Sequence, residues 1–113
     1  MTLRELQSEF AANIPKLIEH AILCGYEVTL GDAYRDPRVH GDLGTKLGYG
    51  AANSNHKNRL AIDLNLFKDG VFLDGTDAHR LLGDWWEHQH PLARWGGRFN
   101  DGNHYSFEWK GMK

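Results

Sequence analysis

The sequence has little that would support a disulfide, a membrane span or a nucleic-acid interface. It contains one cysteine among 113 residues, so no internal disulfide can form. No apolar run approaches the roughly 18 residues that a membrane-spanning helix needs. Thirteen basic against fifteen acidic residues give a net charge of −2, and the absence of a basic run disfavours a protein that binds phosphate backbones. We therefore expect neither a membrane span nor a nucleic-acid partner.

The composition is that of a folded protein. Hydrophobic residues make up 41% of the chain, charged residues 25% and aromatic residues 12%, and the length suits one domain, residues 1–113. The N-terminus, Met1-Thr2-Leu3-Arg4-Glu5, is charged almost at once and lacks the apolar core of a signal peptide. We expect the protein to accumulate in the cytoplasm.

Two segments carry apolar residues at helical spacing. The stripe from Leu3 to Ile22 predicts an amphipathic helix, and Thr2 with Glu5 fits a capping box at its start. Pro15 falls inside this stripe and predicts a kink or a split. The second helix is expected from about residue 76 to 90, with Leu81 and Trp86 among its apolar residues.

Alternating apolar and polar residues predict the strands. They cover residues 26–30, 60–67 and 104–109, and Asp69-Gly70 indicates a hairpin turn that returns through residues 71–73. A long irregular stretch, residues 31–54, separates the first two strands, and loops of this length are often functional. The expected fold is α+β, with a small, mainly antiparallel sheet and two principal helical segments.

The seven histidines invite a search for a metal site. No two of them are four residues apart, which excludes a His-Glu-x-x-His helix, and a single cysteine excludes a thiolate-rich zinc site. Asp63 and His104 both lie on polar faces of predicted strands, so they face one side if those strands share a sheet. His56 precedes Asp63 by seven residues. Two imidazoles and one carboxylate make a catalytic type of zinc site.

Each of these residues also has an ordinary structural interpretation. Asp63 fits a buried hydrogen-bonding group, His56 a loop histidine and His104 a hydrogen-bonded residue at the start of a strand. Catalysis would further need a proton acceptor. Asp101, three residues before His104, is the preferred one, because Glu108 would lie roughly 13 Å along an extended strand.

Two motifs resemble those of a known family. The segment from Ser54 to Asp63 resembles the Ser-x-His-x-x-x-x-Ala-x-Asp signature of the D-alanyl-D-alanine carboxypeptidase family of zinc metallopeptidases, and Asp101-Gly102-Asn103-His104 resembles its acidic-x-x-His motif. The family includes dipeptidases of vancomycin resistance and phage endolysins, and shares its fold with the hedgehog signalling domain. The chain most resembles the small endolysin branch, which cleaves between L-alanine and D-glutamate.

The resemblance implies a role for each matched residue. His56, Asp63 and His104 would bind Zn²⁺, and Asp101 would be the general base. Arg35 and Ser54 also match residues of the family.

Arg35 matches an arginine that polarises the scissile carbonyl, and Ser54 matches the motif serine, a contact to substrate or to a ligand. The alternatives are a surface ion pair of Arg35 with Asp36 or a neighbour and a loop-capping hydroxyl for Ser54. The chain departs from the family at Arg59, where many members have glycine, and at Asp101, where many have glutamate.

The expected function is therefore a zinc-dependent peptidoglycan endopeptidase, a monomer that reaches the cell wall after release from the cytoplasm (that of the host cell if a phage encodes it). A D,D-carboxypeptidase of the same family and a non-catalytic, zinc-bearing binding module are alternatives. A non-haem iron oxygenase also uses two histidines and a carboxylate, although such enzymes need a larger barrel than these strands build.

Overall fold

A long helix opens the chain in the computed structural model, which describes residues 1–48 and 51–113. This helix, α1, spans Leu3–Leu23 and buries Leu6, Phe10, Leu17 and Ala21. The predicted capping box is present: Thr2 Oγ1 accepts a hydrogen bond from the Glu5 backbone N–H, and the Glu5 carboxylate accepts one from the Thr2 N–H. The helix continues through Pro15 without a break, so the predicted split does not occur.

The strands form one five-stranded antiparallel sheet. Its members are β1 (Glu27–Leu30), β2 (Ala61–Lys68), β3 (Val71–Phe72), β4 (Ala93–Trp95) and β5 (His104–Phe107). The order is β1-β2-β5-β4, and β3 pairs with the end of β2 beyond β5. The register of β2 against β5 places Asp63 directly opposite His104, which confirms that the two residues share a face of one sheet.

The helices cover the opposite face of the sheet. The short helix α2 (Pro37–His40) lies in the long connection before β2, and α3 (Arg80–Glu87) follows a 3₁₀ turn at Thr76–His79. The core between α1, α3 and the sheet contains Leu64, Leu66, Trp86 and Phe107, all fully buried. The α+β class is therefore confirmed, and none of the helices in the described ranges is long and apolar enough to cross a membrane.

The structure differs from the prediction around the second helix. Because residues 76–79 form a 3₁₀ turn, the apolar stripe changes phase, and Leu81 is 75% exposed although the stripe placed it in the core. Strand β4 was not predicted at all. Trp95 at its end is fully buried.

Candidate metal centre

Three side chains from two separate parts of the chain converge at the end of the β2–β5 ladder. His56 Nε2 lies 3.2 Å from Asp63 Oδ1 and 3.3 Å from His104 Nδ1. His104 Nδ1 lies 3.6 Å from the same Asp63 oxygen. All three potential ligand atoms fall within 4.8 Å of one another, so one metal ion could bind them together.

Local structure fixes the position of each ligand. Asp63 and His104 are cross-strand partners, with Asp63 on the face of β2 opposite to Leu64. His56 lies in the tight turns that precede β2, where its Nδ1 donates a hydrogen bond to the Ala33 carbonyl at 2.7 Å. That bond places the proton on Nδ1 and leaves the lone pair of Nε2 directed at the cluster.

The chemistry of this cluster suits a cation. The Asp63 Oδ1 atom is buried and has no hydrogen-bond partner in the described structure, yet it faces the unprotonated Nε2 of His56. Two electron-pair donors at 3.2 Å repel unless a positive charge lies between them. A His₂Asp set is a known zinc donor set that leaves a coordination position open for water.

The electrostatics keep the carboxylate of Asp63 ionised. Burial raises the pKa of Asp63, but hydrogen bonds and positive charge from the protonated forms of His104 and His56 outweigh burial and lower this pKa to about 2. The His104 ring packs edge-on against His56 and Phe99. Its Nε2 is buried without a hydrogen-bond partner among the described residues, so the polar contacts of this ring are those of Nδ1 with His56, Asp63 and Asp101.

Asp101 lies at the edge of the cluster. Its Oδ2 is 3.8 Å from His104 Nδ1, and its side chain is 53% exposed. The turn that connects the two residues is held by a hydrogen bond from the His104 N–H to the Asp101 carbonyl. Glu108, the other candidate base, instead accepts a hydrogen bond from Arg94 and does not line the cavity at the cluster.

Arg35 and Ser54 form a linked pair beside His56. The Arg35 guanidinium donates to Ser54 Oγ at 3.0 Å, and the same oxygen accepts the His56 backbone N–H at 3.2 Å. Ser54 therefore contacts both the backbone of His56 and the side chain of Arg35, and its contact with substrate stays a prediction. The Arg35 side chain is only 13% exposed and also pairs with Asp32, whereas Asp36 pairs with Arg38.

A cavity of about 200 Å³ opens onto the cluster. The sequence-predicted residues that line it are Arg35, Ser54, His56, Asp101 and His104. The C-terminus also reaches this cavity. Asn55 donates hydrogen bonds to the carbonyls of Phe107 and Met112, and Lys113 lies on the cavity wall.

Sequence reasoning missed the residue that organises the long loop before β2. The Lys57 ammonium lies within hydrogen-bonding distance of the backbone carbonyls of His40, Asp42, Thr45 and Ala52. Lys57 directly follows His56. Its side chain therefore links the segment that contains this potential ligand to the loop that borders the site. A lysine inside a motif gives no signal of such a contact.

His88 and His90, two other histidines near the end of α3, take part in separate contacts. His90 Nε2 lies 3.0 Å from a carboxylate oxygen of Glu9, and His88 Nδ1 donates to the Asp84 carbonyl. Among the described residues, His56, Asp63 and His104 are the only group of three potential ligands within 4.8 Å of one another.

Comparison with known proteins gives no independent assignment. No family model matches the chain, and no curated protein matches it. The family resemblance therefore remains a prediction from the two motifs.

Proposed function

We propose that this protein is a zinc-dependent peptidoglycan endopeptidase of the D-alanyl-D-alanine carboxypeptidase family, cleaving between L-alanine and D-glutamate. The observation that carries the proposal is the convergence of His56 Nε2, Asp63 Oδ1 and His104 Nδ1, beside a cavity that the two histidines line together with Asp101 and Arg35. Two buried histidines, a half-buried aspartate, an exposed carboxylate and a guanidinium near one opening are groups that can hydrolyse a peptide.

The roles follow from the chemistry of each group. Bound by His56, Asp63 and His104, zinc would supply a water nucleophile at neutral pH and polarise the scissile carbonyl. The Asp101 carboxylate takes the proton of the attacking water as its oxygen bonds to the carbonyl carbon. It then returns the proton to the leaving amine as the C–N bond breaks.

Arg35 stabilises the oxygen of the scissile carbonyl. Its guanidinium donates hydrogen bonds to that oxygen as negative charge develops on it. Because Ser54 and Asp32 already hold this side chain, little conformational entropy is lost when the substrate arrives.

The first test is the product of hydrolysis. Purified peptidoglycan is incubated with the zinc-loaded protein and with a chelated control, and the fragments are identified by mass spectrometry. New fragments that begin with D-glutamate, present with zinc alone, are expected. Loss of a terminal D-alanine would instead assign the chain to the carboxypeptidases, and absence of any zinc-dependent product from several wall types would refute catalysis.

The second test separates the base from the ligands. The substitution Asp101→Ala is expected to keep zinc bound and to slow hydrolysis by roughly 10²- to 10⁴-fold, the range typical of a general base. Zinc content is measured by elemental analysis beside the rate. Asp77→Ala, which removes an exposed carboxylate paired with Arg80, is the control and should change neither quantity. Retained turnover in Asp101→Ala would remove this residue from the role.

A further inference from the structure

A hydrogen-bonded pair, His79 and Tyr105, lies beside the proposed site and is not used by the mechanism. His79 ends the 3₁₀ turn before α3 and is 3% exposed. Its Nδ1 lies 2.6 Å from the hydroxyl of Tyr105, a fully buried residue of β5. At neutral pH the phenol hydroxyl of a tyrosine is protonated. When this hydroxyl is buried, its O–H needs a hydrogen-bond acceptor. Since Nδ1 is its acceptor, the His79 proton lies on Nε2.

His79 is therefore a neutral hydrogen-bond donor of fixed orientation. Burial lowers its pKa to about 4, so the ring carries no charge at physiological pH. In the described structure Nε2 has no protein partner. The donor is thus available to a ligand.

His79 is one of the residues that line a second cavity, of about 230 Å³. Asp101 lines both this cavity and the one at the metal cluster, so the two openings meet at the proposed general base. A chain long enough to pass Asp101 would contact both.

Two acidic residues of this second cavity disfavour an anionic ligand. Its wall contains the side chains of Asn65, Thr76 and Asn103, together with two carboxylates, Asp74 and Asp101. A free carboxylate would be repelled by the two acidic groups, whereas a peptide group offers a neutral carbonyl oxygen as acceptor.

We propose that this second cavity binds the peptide backbone of the substrate on one side of the cleaved bond, and that His79 Nε2–H donates a hydrogen bond to a peptide carbonyl oxygen there. The identity of the peptide as substrate rests on the proposed function. The hydrogen bond itself rests on the cavity and on the His79–Tyr105 pair.

The test removes the donor without leaving a buried hydroxyl unpaired. The double variant His79→Leu/Tyr105→Phe replaces both partners by apolar groups of similar size, which is close to neutral for stability. Loss of one hydrogen bond to the substrate should raise KM by roughly three- to tenfold with kcat unchanged. Zinc content is measured in parallel and should stay that of the wild type. His79→Gln, which keeps an N–H donor, should recover part of the loss, and His88→Ala is the control at an exposed histidine.

A direct binding measurement makes the inference independent of the substitutions at His79 and Tyr105. The imidazole resonances of His79 are followed by NMR in the zinc-loaded Asp101→Ala protein during titration with a soluble stem peptide containing L-alanyl-D-glutamate. A saturating shift at His79, with none at His88, is expected.

The outcomes distinguish this inference from the proposed function. Hydrolysis by the wild type with an unchanged KM in the folded double variant would overturn the role of His79 and leave the function standing. A His79 shift in a protein that cleaves no wall peptide would support the binding cavity and refute the peptidase. Absence of any shift would refute the cavity as a peptide site.

Discussion

His79 makes the core of this protein sensitive to acid. In the folded protein burial holds its pKa at about 4, whereas the unfolded chain titrates near the ordinary value of 6.5. Between these values the unfolded chain binds the proton more tightly. The stability that the neutral ring contributes is therefore complete above pH 6.5 and is lost as the pH falls to 4.

The size of the effect follows from the two pKa values. They differ by about 2.5, and each unit corresponds to about 1.4 kcal/mol, so full protonation costs about 3 kcal/mol. Water in the cavity on one side of the ring screens the charge and reduces the cost towards about 2 kcal/mol. Either value is a large part of the 5–15 kcal/mol that typically holds a domain folded.

Urea denaturation of metal-free protein at pH 7 and pH 4 measures this loss. The side chain introduced by His79→Gln does not titrate between pH 7 and pH 4. Any loss of stability in this variant therefore comes from its other titratable groups. The wild type is expected to lose about 2–3 kcal/mol more than the variant over the same interval. Equal losses, or a His79 pKa near 6.5 by NMR, would show that the ring is solvated and would refute the reasoning.

The other predictions concern the metal, the loop and the core. His104→Ala should abolish stoichiometric zinc binding, measured by elemental analysis, because two ligands hold zinc far more weakly than three; unchanged metal content would exclude this residue as a ligand. Lys57→Met should speed limited proteolysis between residues 41 and 52, because four backbone carbonyls lose their shared donor. Gly83→Ala should lower the free energy of unfolding by more than about 2 kcal/mol, because its Cβ would lie 2.1 Å from the Trp95 ring.

Each of these variants has a matched control. His88→Ala removes an exposed histidine outside the cluster and should leave zinc binding intact. Lys16→Met removes an exposed lysine of α1 and should leave the cleavage rate of the loop unchanged. Leu81→Ala alters a 75% exposed residue of α3 and should change stability by less than about 0.5 kcal/mol. A Gly83 variant as stable as this control would mean that the Trp95 ring can move aside.

Local chemistry explains which elements were predictable. The capping box of α1 and the Asp69-Gly70 turn depend on neighbours in the chain, and both are present. The alternation in β2 placed Asp63 and Leu64 on opposite faces, as the structure has them. These features need no knowledge of distant contacts.

The missed elements depend on contacts between distant segments. Strand β4 has three residues, too few for a periodic pattern, and it exists because β5 pairs with it. Trp95 is buried because Gly83 and Gly97 leave room for its indole, although two following glycines suggested an exposed loop. Cys24 is exposed at the end of α1, although cysteine is among the residue types most often buried.

The same distinction applies to the site. The placement of Asp63 and His104 on one face followed from strand periodicity, and the register that makes them direct partners is the part that the structure adds. The sequence does not indicate a role for His79, because that role depends on a hydrogen bond with Tyr105, 26 residues away. A buried histidine cannot be distinguished from a surface one by its neighbours in the chain.

The anchoring of the C-terminus has a practical consequence for anyone who purifies this protein. Because Asn55 fixes Met112 and Lys113 lies on the wall of the site cavity, anything fused after Lys113 emerges beside the cluster of His56, Asp63 and His104. A polyhistidine tag placed there would bring competing imidazoles to the ligands and distort both affinity and stoichiometry. Met1 is exposed at the start of α1 and does not line the cavity. A tag placed before it would not be held beside the cluster.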